Sequence, residues 1–156
     1  MLKHLTAFAF SIAFIMCISS CTAEEKAPEA KLNWTEDFAN AILLAKEKNK
    51  PVFALFTGSD WCGWCIKLDK EVFSKKDFAD YANENFILFK ADYPRAIAQS
   101  DTVKDQNQKL AKQFGVRGYP TVLILDKDSK VIGKTGYKPG GPKPYIENLK
   151  EMLPAK

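Results

Sequence analysis

Apolar and polar positions along the chain predict an N-terminal helix followed by a buried strand. The apolar positions of the helix recur every three or four residues, at Trp34, Phe38, Ile42 and Ala45. Asn33 is a favourable N-cap, and Glu36 three residues later completes a capping-box-like start. We expect the helix to end near residues 48–50, because Pro51 opens the next segment. The run 52–56 is apolar throughout and rich in β-formers, as expected for a central buried strand.

The rest of the pattern extends this start into a full domain. The further elements are a helix from Ile66 that bends near Ser74 and continues for a turn or two, a strand over 86–91, a helix over 103–114 that Gly115 stops, a hairpin of strands 122–125 and 131–132 around the turn 126–129, and a helix carrying Ile146, Leu149 and Leu153. The predicted order is αβαβαββα. Helices between strands imply parallel central strands, and the hairpin adds an antiparallel one. The pattern therefore predicts an α/β fold with a central mixed sheet flanked by helices.

Two cysteines stand at the junction between the first strand and the second helix. Cys62 and Cys65 are separated by two residues, a spacing typical of a thiol–disulfide site. The free N–H groups and the dipole at a helix start favour a thiolate, so we expect the pKa of Cys62 to lie below its ordinary value of about 8.5. Cys65 lies one turn further on the same face. We predict that Cys62 attacks a partner's disulfide and that Cys65 resolves the mixed disulfide.

Two other uses of this cysteine pair are open. A zinc site commonly contains such a pair but needs two further ligands, and His4, Cys17 and Cys21 all lie in or beside the N-terminal leader. An inert structural disulfide would close a very short loop, which constrains the unfolded chain little. Ligand count and loop length therefore favour a redox-active pair, and neither a metal nor a cofactor is predicted.

The N-terminal residues are typical of an export signal. Lys3 precedes an apolar stretch, residues 5–18, that is short for a membrane span. The ending Ile18-Ser-Ser-Cys21 resembles the lipobox of bacterial lipoproteins, which implies that Cys21 becomes the first mature residue and carries lipid. Thr22 favours sorting to the outer membrane in some bacteria. An ordinary cleaved signal peptide and a retained anchor are the alternatives.

This boundary defines the predicted domain organisation. Residues 1–20 are the signal peptide, residues 21–32 a flexible tether, and residues 33–156 one domain. The formal net charge is +4, and basic residues are interleaved with acidic ones, so no nucleic-acid-binding surface is predicted. We expect an exported, periplasmic monomer that its lipid anchors to the membrane.

Several stretches together resemble the thioredoxin family. They are residues 58–65, Asp69 with Val72-Phe73, residues 115–121 and residues 126–133. The pattern is similar to exported thioredoxin-like proteins with a Trp-Cys-x-x-Cys site, and to the C-terminal domain of the bacterial transmembrane disulfide reductase. The resemblance covers Trp34 to the C-terminus and implies the thioredoxin fold. It also implies a thiol–disulfide oxidoreductase, a protein disulfide reductase or isomerase, which acts on protein thiols and is kept reduced by a membrane partner.

The resemblance also implies which residues contact the substrate. In the family, the proline at the position of Pro120 is cis and packs beside the dithiol, and the peptide group of the preceding residue, here Tyr119, pairs with the substrate. The residues alone would make Pro120 a simple strand-start proline. With the cysteines exposed at a helix tip, we expect Trp61, Gly63 and Trp64 to contact an extended polypeptide. Internal packing is the alternative for both tryptophans.

The sequence departs from thioredoxin at two places. Phe56 stands where thioredoxin carries a buried aspartate, six residues before the first active cysteine. Asp69, one helical turn after Cys65, is our candidate for the group that deprotonates Cys65, and a solvated helix-face acid is the alternative. The stretch 93–100 resembles an insertion, which either lines the active face or is only a surface loop.

Three other functions remain open for this fold. A net oxidant is compatible with the motif, because the direction of exchange depends on reduction potential and partner supply. A redox-silent binding module or folding helper would use the fold without the dithiol. A peroxidase is disfavoured, since no recognisable peroxidatic motif accompanies Cys62 and Cys65.

Overall fold

The computed structural model describes residues 31–154, so the predicted signal peptide, Cys21 and most of the tether lie outside the described residues. The strands are β1 (Trp34–Thr35), β2 (Val52–Thr57), β3 (Ile87–Asp92), β4 (Thr121–Leu125) and β5 (Val131–Thr135). The helices are α1 (Phe38–Lys48), α2 (Gly63–Leu68), α3 (Lys76–Asn85), α4 (Asp101–Gln113) and α5 (Pro142–Met152), with a π-helical segment (Asp69–Phe73) between α2 and α3. No helix within this range is long and apolar enough to cross a bilayer.

The strands form one mixed sheet in the order β1-β3-β2-β4-β5. β1 and β2 both run parallel to β3, whereas β4 runs antiparallel to β2 and β5 antiparallel to β4. β2 is central and every one of its residues is buried, as its unbroken apolar sequence predicts. The predicted fold class, a mixed sheet flanked by helices, is confirmed.

The prediction of parallel central strands is right for β2 and β3 but wrong for β4. β3 ends at Asp92, which is paired with Thr57, and β4 begins at Thr121, which is paired with Phe56. The chain through α4 therefore leaves and re-enters the sheet at the same edge, so β4 must run antiparallel. β5 also ends at this edge, since Thr135 pairs with Val122. Four strand ends consequently meet where the dithiol lies.

The N-terminal helix begins later than predicted. Trp34 belongs to β1, where it pairs with Leu88, and its ring packs 6.0 Å from that of Phe53. The N-cap of α1 is Asp37 rather than Asn33, so the predicted capping box is wrong. The spacing of four residues from Trp34 to Phe38 fits a helical face, but pairing with β3 places Trp34 in a strand, where its side chain is partly buried.

Two apolar layers enclose the sheet, because alternate residues of a strand face opposite sides. Phe53 and Leu55 of β2 point into the layer with the helices α2, α3 and α5, whereas Ala54 and Phe56 point into the layer with α1 and α4. The helix predicted to run only a turn or two beyond Ser74 is the full helix α3, whose Phe78 is completely buried. The carboxyl end of β2 is therefore held from both faces.

Candidate active site

The two cysteines lie at the start of α2, just after the turn that follows β2. The carbonyl of Gly58 accepts the N–H groups of Trp61 and Cys62 at 3.3 and 2.9 Å, and this turn makes Cys62 the N-cap of α2. Cys62 and Cys65 form a disulfide, with 5.2 Å between their Cα atoms. The backbone N–H of Cys65 donates to Sγ of Cys62 at 3.3 Å. Such a donor is the interaction that stabilises a thiolate after reduction.

Both cysteine residues are more buried than we expected at a helix tip. Cys62 is 7% exposed and Cys65 4%, whereas Trp61 and Trp64 are 37% and 58% exposed. Cys65 shares the inner face of α2 with the buried Leu68, and the disulfide draws Cys62 towards that face. The expected exposure of the cysteines is therefore wrong, and the outer surface of the motif is made by its tryptophans.

Trp61 is fixed by neighbours from three parts of the chain. Its indole N–H donates to the carbonyl of Tyr93 at 2.7 Å, and its ring stands edge-on to Tyr119, 6.0 Å away. The ring also lies directly over Gly58, where an added Cβ would come within 2.5 Å of it. Only glycine leaves room for the indole at this position.

The segment before β4 lies beside Cys65 at a small cavity. The Tyr119–Pro120 peptide bond is cis, as the family resemblance implied. Pro120, Cys65 and Asp69 line one cavity of about 230 Å³. Three of the residues predicted to belong to the site are thus brought together by the fold.

Asp69 is the acid at this cavity. Although much of the side chain is open to solvent, partial burial raises the pKa of its carboxyl above 3.8, and the positive charge of Lys90 on β3 lowers it in part. Lys90 lines the same cavity. Phe56, which stands at the usual acid position, is completely buried and packs 6.3 Å from Phe114. Asp69 therefore lines the same cavity as Cys65, whereas β2 has no acid at position 56.

A second carboxylate fixes the turn between β2 and the dithiol. Asp92, at the end of β3, accepts hydrogen bonds from the N–H of Ser59 at 3.0 Å and from its hydroxyl at 2.5 Å. The backbone carbonyl of Asp92 accepts from the buried Asn107 at 2.9 Å. The sequence pattern did not reveal these contacts, because they join positions 33 and 15 residues apart.

The segment 93–97, which we name the β3 loop, lies against the active face, and this decides between the two alternatives for the insertion. The carboxylate of Asp60 accepts the backbone N–H groups of Arg95, Ala96 and Ile97. The bonds from Ala96 and then Arg95 hold the pKa of Asp60 below 3.8. The guanidinium of Arg95 lies over the ring of Trp61, 3.8 Å from its centroid. No local spacing signals any of these contacts.

Trp64 is braced by the loop after β5. Its ring lies 5.1 Å from that of Tyr137, whose hydroxyl donates to Glu71 at 2.7 Å. The ammonium of Lys67 lies 5.4 Å from the Trp64 centroid and 5.2 Å from that of Tyr137. The Tyr137 hydroxyl and then the Glu71 charge hold the pKa of Lys67 above 10.5, so this cation is permanent at physiological pH.

Comparison with known proteins identifies the class. The thioredoxin-like domain family matches residues 38–147. The chain is 30% identical over 156 residues to the disulfide bond reductase DsbH of Chlamydia pneumoniae, with 93% of each chain covered. The chain therefore belongs to the thioredoxin-like family, and it is a thiol–disulfide oxidoreductase.

Solved structures agree with this assignment. A structure of a DsbH oxidoreductase superposes with a TM-score of 0.76 at 32% identity, covering 80% of this chain and 86% of that one. The oxidised C-terminal domain of DsbD from Neisseria meningitidis superposes with a TM-score of 0.54 at 20% identity, covering 74% and 91%. The second likeness supports the fold alone.

Proposed function

We propose that this protein is an extracytoplasmic protein-disulfide reductase or isomerase. The observation that carries the proposal is the Cys62–Cys65 disulfide at the start of α2, with a backbone N–H directed at the sulfur of Cys62. The similarity to a protein named disulfide bond reductase supports the reducing direction. A redox-silent binding module of this fold would have no need for the paired sulfurs.

The first step uses the reduced protein. The thiolate of Cys62 attacks one sulfur of the substrate's disulfide, so that the substrate S–S bond breaks as a new S–S bond to Cys62 forms. The displaced substrate sulfur leaves as a thiolate and takes a proton from water. The N–H of Cys65 and the helix dipole stabilise the anion of Cys62 before the attack.

The second step resolves the mixed disulfide. Asp69 accepts the proton of Cys65, whose thiolate attacks the sulfur of Cys62 and releases the second substrate sulfur as a thiolate. Two electrons have then passed to the substrate, and Cys62 and Cys65 are joined as in the structure. The raised pKa of Asp69 supports this role, because a more basic carboxylate is a better proton acceptor.

The substrate is an extended polypeptide beside the dithiol. The peptide group of Tyr119, next to the cis bond of Pro120, pairs with its backbone, and Trp61, Gly63 and Trp64 contact its side chains. The exposure of both tryptophans supports this arrangement. The open space around Gly63, where an added Cβ would meet nothing within 4 Å, supports it also.

The N-terminal residues define where the protein acts. Residues 1–20 export the chain, and Cys21 carries the lipid that anchors a monomeric domain (33–156) to the membrane through the tether (21–32). A membrane-bound dithiol donor reduces Cys62–Cys65 after each turnover, since the net reaction consumes two electrons. The mass of the mature N-terminus tests lipidation directly.

Trapping with Cys65→Ala tests the proposed function. Without its resolving thiol, Cys62 should remain joined to substrates as mixed disulfides, which mass spectrometry after alkylation identifies. Cys62→Ala is the control and should trap nothing. Adducts with Cys62→Ala alone would overturn the assigned nucleophile. Failure of the reduced wild-type protein to reduce insulin disulfides would favour the binding module.

A further inference from the structure

A cationic side chain lies beside the ring of each tryptophan of the motif, and the two cations come from different segments of the chain. Arg95 of the β3 loop stacks on Trp61, which precedes Cys62, at 3.8 Å. Lys67 of α2 lies 5.4 Å from the ring of Trp64, which follows Cys62. We call these four side chains the cationic rim. All four are open to solvent, so a chain approaching the dithiol meets them first.

The topology places the two halves of the cationic rim on either side of the dithiol. The β3 loop, which supplies Arg95, follows β3, whereas Tyr137, which braces Trp64, follows β5. β3 and β5 lie on opposite sides of β2 in the sheet order, and all three strands end at the same edge. An extended chain crossing the dithiol along this edge therefore passes both cations.

Three of the acids near this edge are hydrogen-bonded within the fold. Asp60 accepts the backbone N–H groups of the β3 loop, Glu71 accepts the hydroxyl of Tyr137, and Asp92 accepts from Ser59. Within residues 31–154, Arg95 takes part in no salt bridge, whereas the ammonium of Lys67 lies 3.9 Å from the carboxylate of Glu71. The guanidinium of Arg95 is therefore free to meet a carboxylate of an approaching chain.

A groove continues the cationic rim on the side of Trp64. It begins at Gly63, encloses about 850 Å³ between α2, the π-helical segment and the loop before α5, and is lined by Lys67, Lys70 and Lys75. Its one carboxylate, Glu71, is the acceptor from Tyr137.

We infer that the cationic rim selects protein disulfides whose cysteine is flanked by acidic side chains; this inference rests on the proposed function and names its substrate class. A stacked guanidinium keeps its N–H edge free for a carboxylate, which is the chemistry that an acidic flank supplies. Because these charges are exposed and screened by salt, they act on the rate of productive encounter more than on tight binding.

The test compares three disulfide-linked peptide dimers that differ only in the residues flanking their single cysteine: glutamate, glutamine or lysine. The protein is the full mature chain, reduced beforehand, and its free thiols are confirmed by alkylation. We expect the second-order rate constant of this single turnover to fall from the glutamate to the lysine peptide by about 10-fold or more at low salt. At about 1 M salt, where the Debye length is near 3 Å, the ratio should approach one.

Variants separate selection from general activity. The double variant Arg95→Gln, Lys67→Gln should bring the glutamate-to-lysine ratio close to one, and Lys112→Gln, on α4 away from the rim, should keep the wild-type ratio. The ratio is the decisive readout, because a change in the reactivity of Cys62 alters all three rates equally.

Two outcomes overturn the inference while the reductase remains. One is equal wild-type rates on the three peptides, and the other is a double variant that slows all three equally and keeps the wild-type ratio. A reduced wild-type protein that cleaves neither the peptides nor insulin would instead overturn the proposed function itself.

Discussion

The acid beside the dithiol cavity, Asp69, lies in the π-helical segment after α2 and not on the central strand β2. A carboxylate at the position of Phe56 would be completely buried in the apolar layer that contains α1 and α4, where an unpaired charge is unfavourable. At Asp69 the carboxyl is only partly desolvated and faces Lys90 across the cavity. This placement keeps the carboxyl in contact with water, which can carry its proton away.

Asp69→Asn should slow resolution of the mixed disulfide by about 10²-fold, the lower end for loss of a general base. The wild-type rate should fall as the pH drops through the raised pKa of Asp69, because the carboxyl is then protonated and cannot accept a proton. The variant should lack this pH dependence. Both effects are measured in a rapid-mixing experiment that records the release of the peptide thiol from the mixed disulfide.

The matched control for this substitution is Asp80→Asn, on the solvent face of α3. Asp80 pairs with Lys76 at 2.6 Å, and both side chains are well exposed, so its loss should leave resolution unchanged. Equal rates for wild type and Asp69→Asn across the pH range would show that Asp69 is only a solvated helix-face acid.

The raised pKa of Asp69 also sets the sign of a stability effect. The folded protein holds this proton more tightly than the unfolded chain, so the free energy of unfolding should fall as the pH rises from 3.8 through the raised pKa. Asp69→Asn should remove this fall. Urea denaturation of both proteins at several pH values measures it, and a wild-type contribution of opposite sign would contradict the direction.

Gly58→Ala should displace Trp61 without disturbing the sheet. The new Cβ would lie 2.5 Å from the indole ring, so the ring must move and lose its bond to the Tyr93 carbonyl. We expect a red-shifted tryptophan emission and slower insulin reduction. Gly118→Ala is the control, since its Cβ meets nothing within 4 Å; unchanged emission from Gly58→Ala would contradict the packing.

Among the elements, the β3 loop is joined to the turn before Cys62 by one carboxylate in particular. Asp60 lies in the turn before Cys62 and accepts three consecutive backbone N–H groups from a segment 35 to 37 residues away. This couples the position of the loop, and of Arg95 over Trp61, to the turn that carries the dithiol. We call these hydrogen bonds from residues 95–97 to Asp60 the clamp, because they join the turn after β2 to the loop after β3.

The clamp should depend on pH in a defined direction. Hydrogen bonds from Ala96 and Arg95 lower the pKa of Asp60 below 3.8, so its contribution is complete above that value and is lost as the pH falls through the lowered pKa. The amide chemical shift of Ala96 should therefore titrate with a midpoint below 3.8. In Asp60→Ala this titration should vanish and amide exchange in residues 95–97 should accelerate; an Ala96 amide with no such titration in wild type would exclude the clamp.

The predictable part of this fold is the part that local pattern determines. Apolar periodicity located the central strand, the hairpin and the later helices, and cysteine spacing located the dithiol. The sequence did not reveal β1, the antiparallel direction of β4 or the contacts of the β3 loop. Each of these depends on which strand ends meet in space, and a two-residue strand or a carboxylate bonded to distant amides leaves no periodic trace.

At the scale of the whole molecule, one layer of the core contains a polar atom at an apolar position. Tyr145 of α5 is 1% exposed and packs edge-on to Phe78, with 5.9 Å between ring centroids. Its hydroxyl has no hydrogen-bond partner within residues 31–154, and burial raises its pKa. Burying an unpaired hydroxyl is unfavourable, so the ring contributes to stability and the oxygen opposes it.

Replacing tyrosine by phenylalanine at two positions compares an unpaired buried hydroxyl with one that is hydrogen-bonded. Tyr145→Phe keeps the ring and removes an unpaired hydroxyl, so the free energy of unfolding should rise by about 1 kcal/mol. Tyr137→Phe removes a hydroxyl that donates to Glu71 at 2.7 Å, so it should fall by about 1 kcal/mol. Urea denaturation of the oxidised proteins measures both, with the disulfide held constant. A loss at position 145 as large as that at 137 would mean that the buried hydroxyl is hydrogen-bonded after all, and that α5 is tied to the core by a polar contact rather than by apolar packing alone.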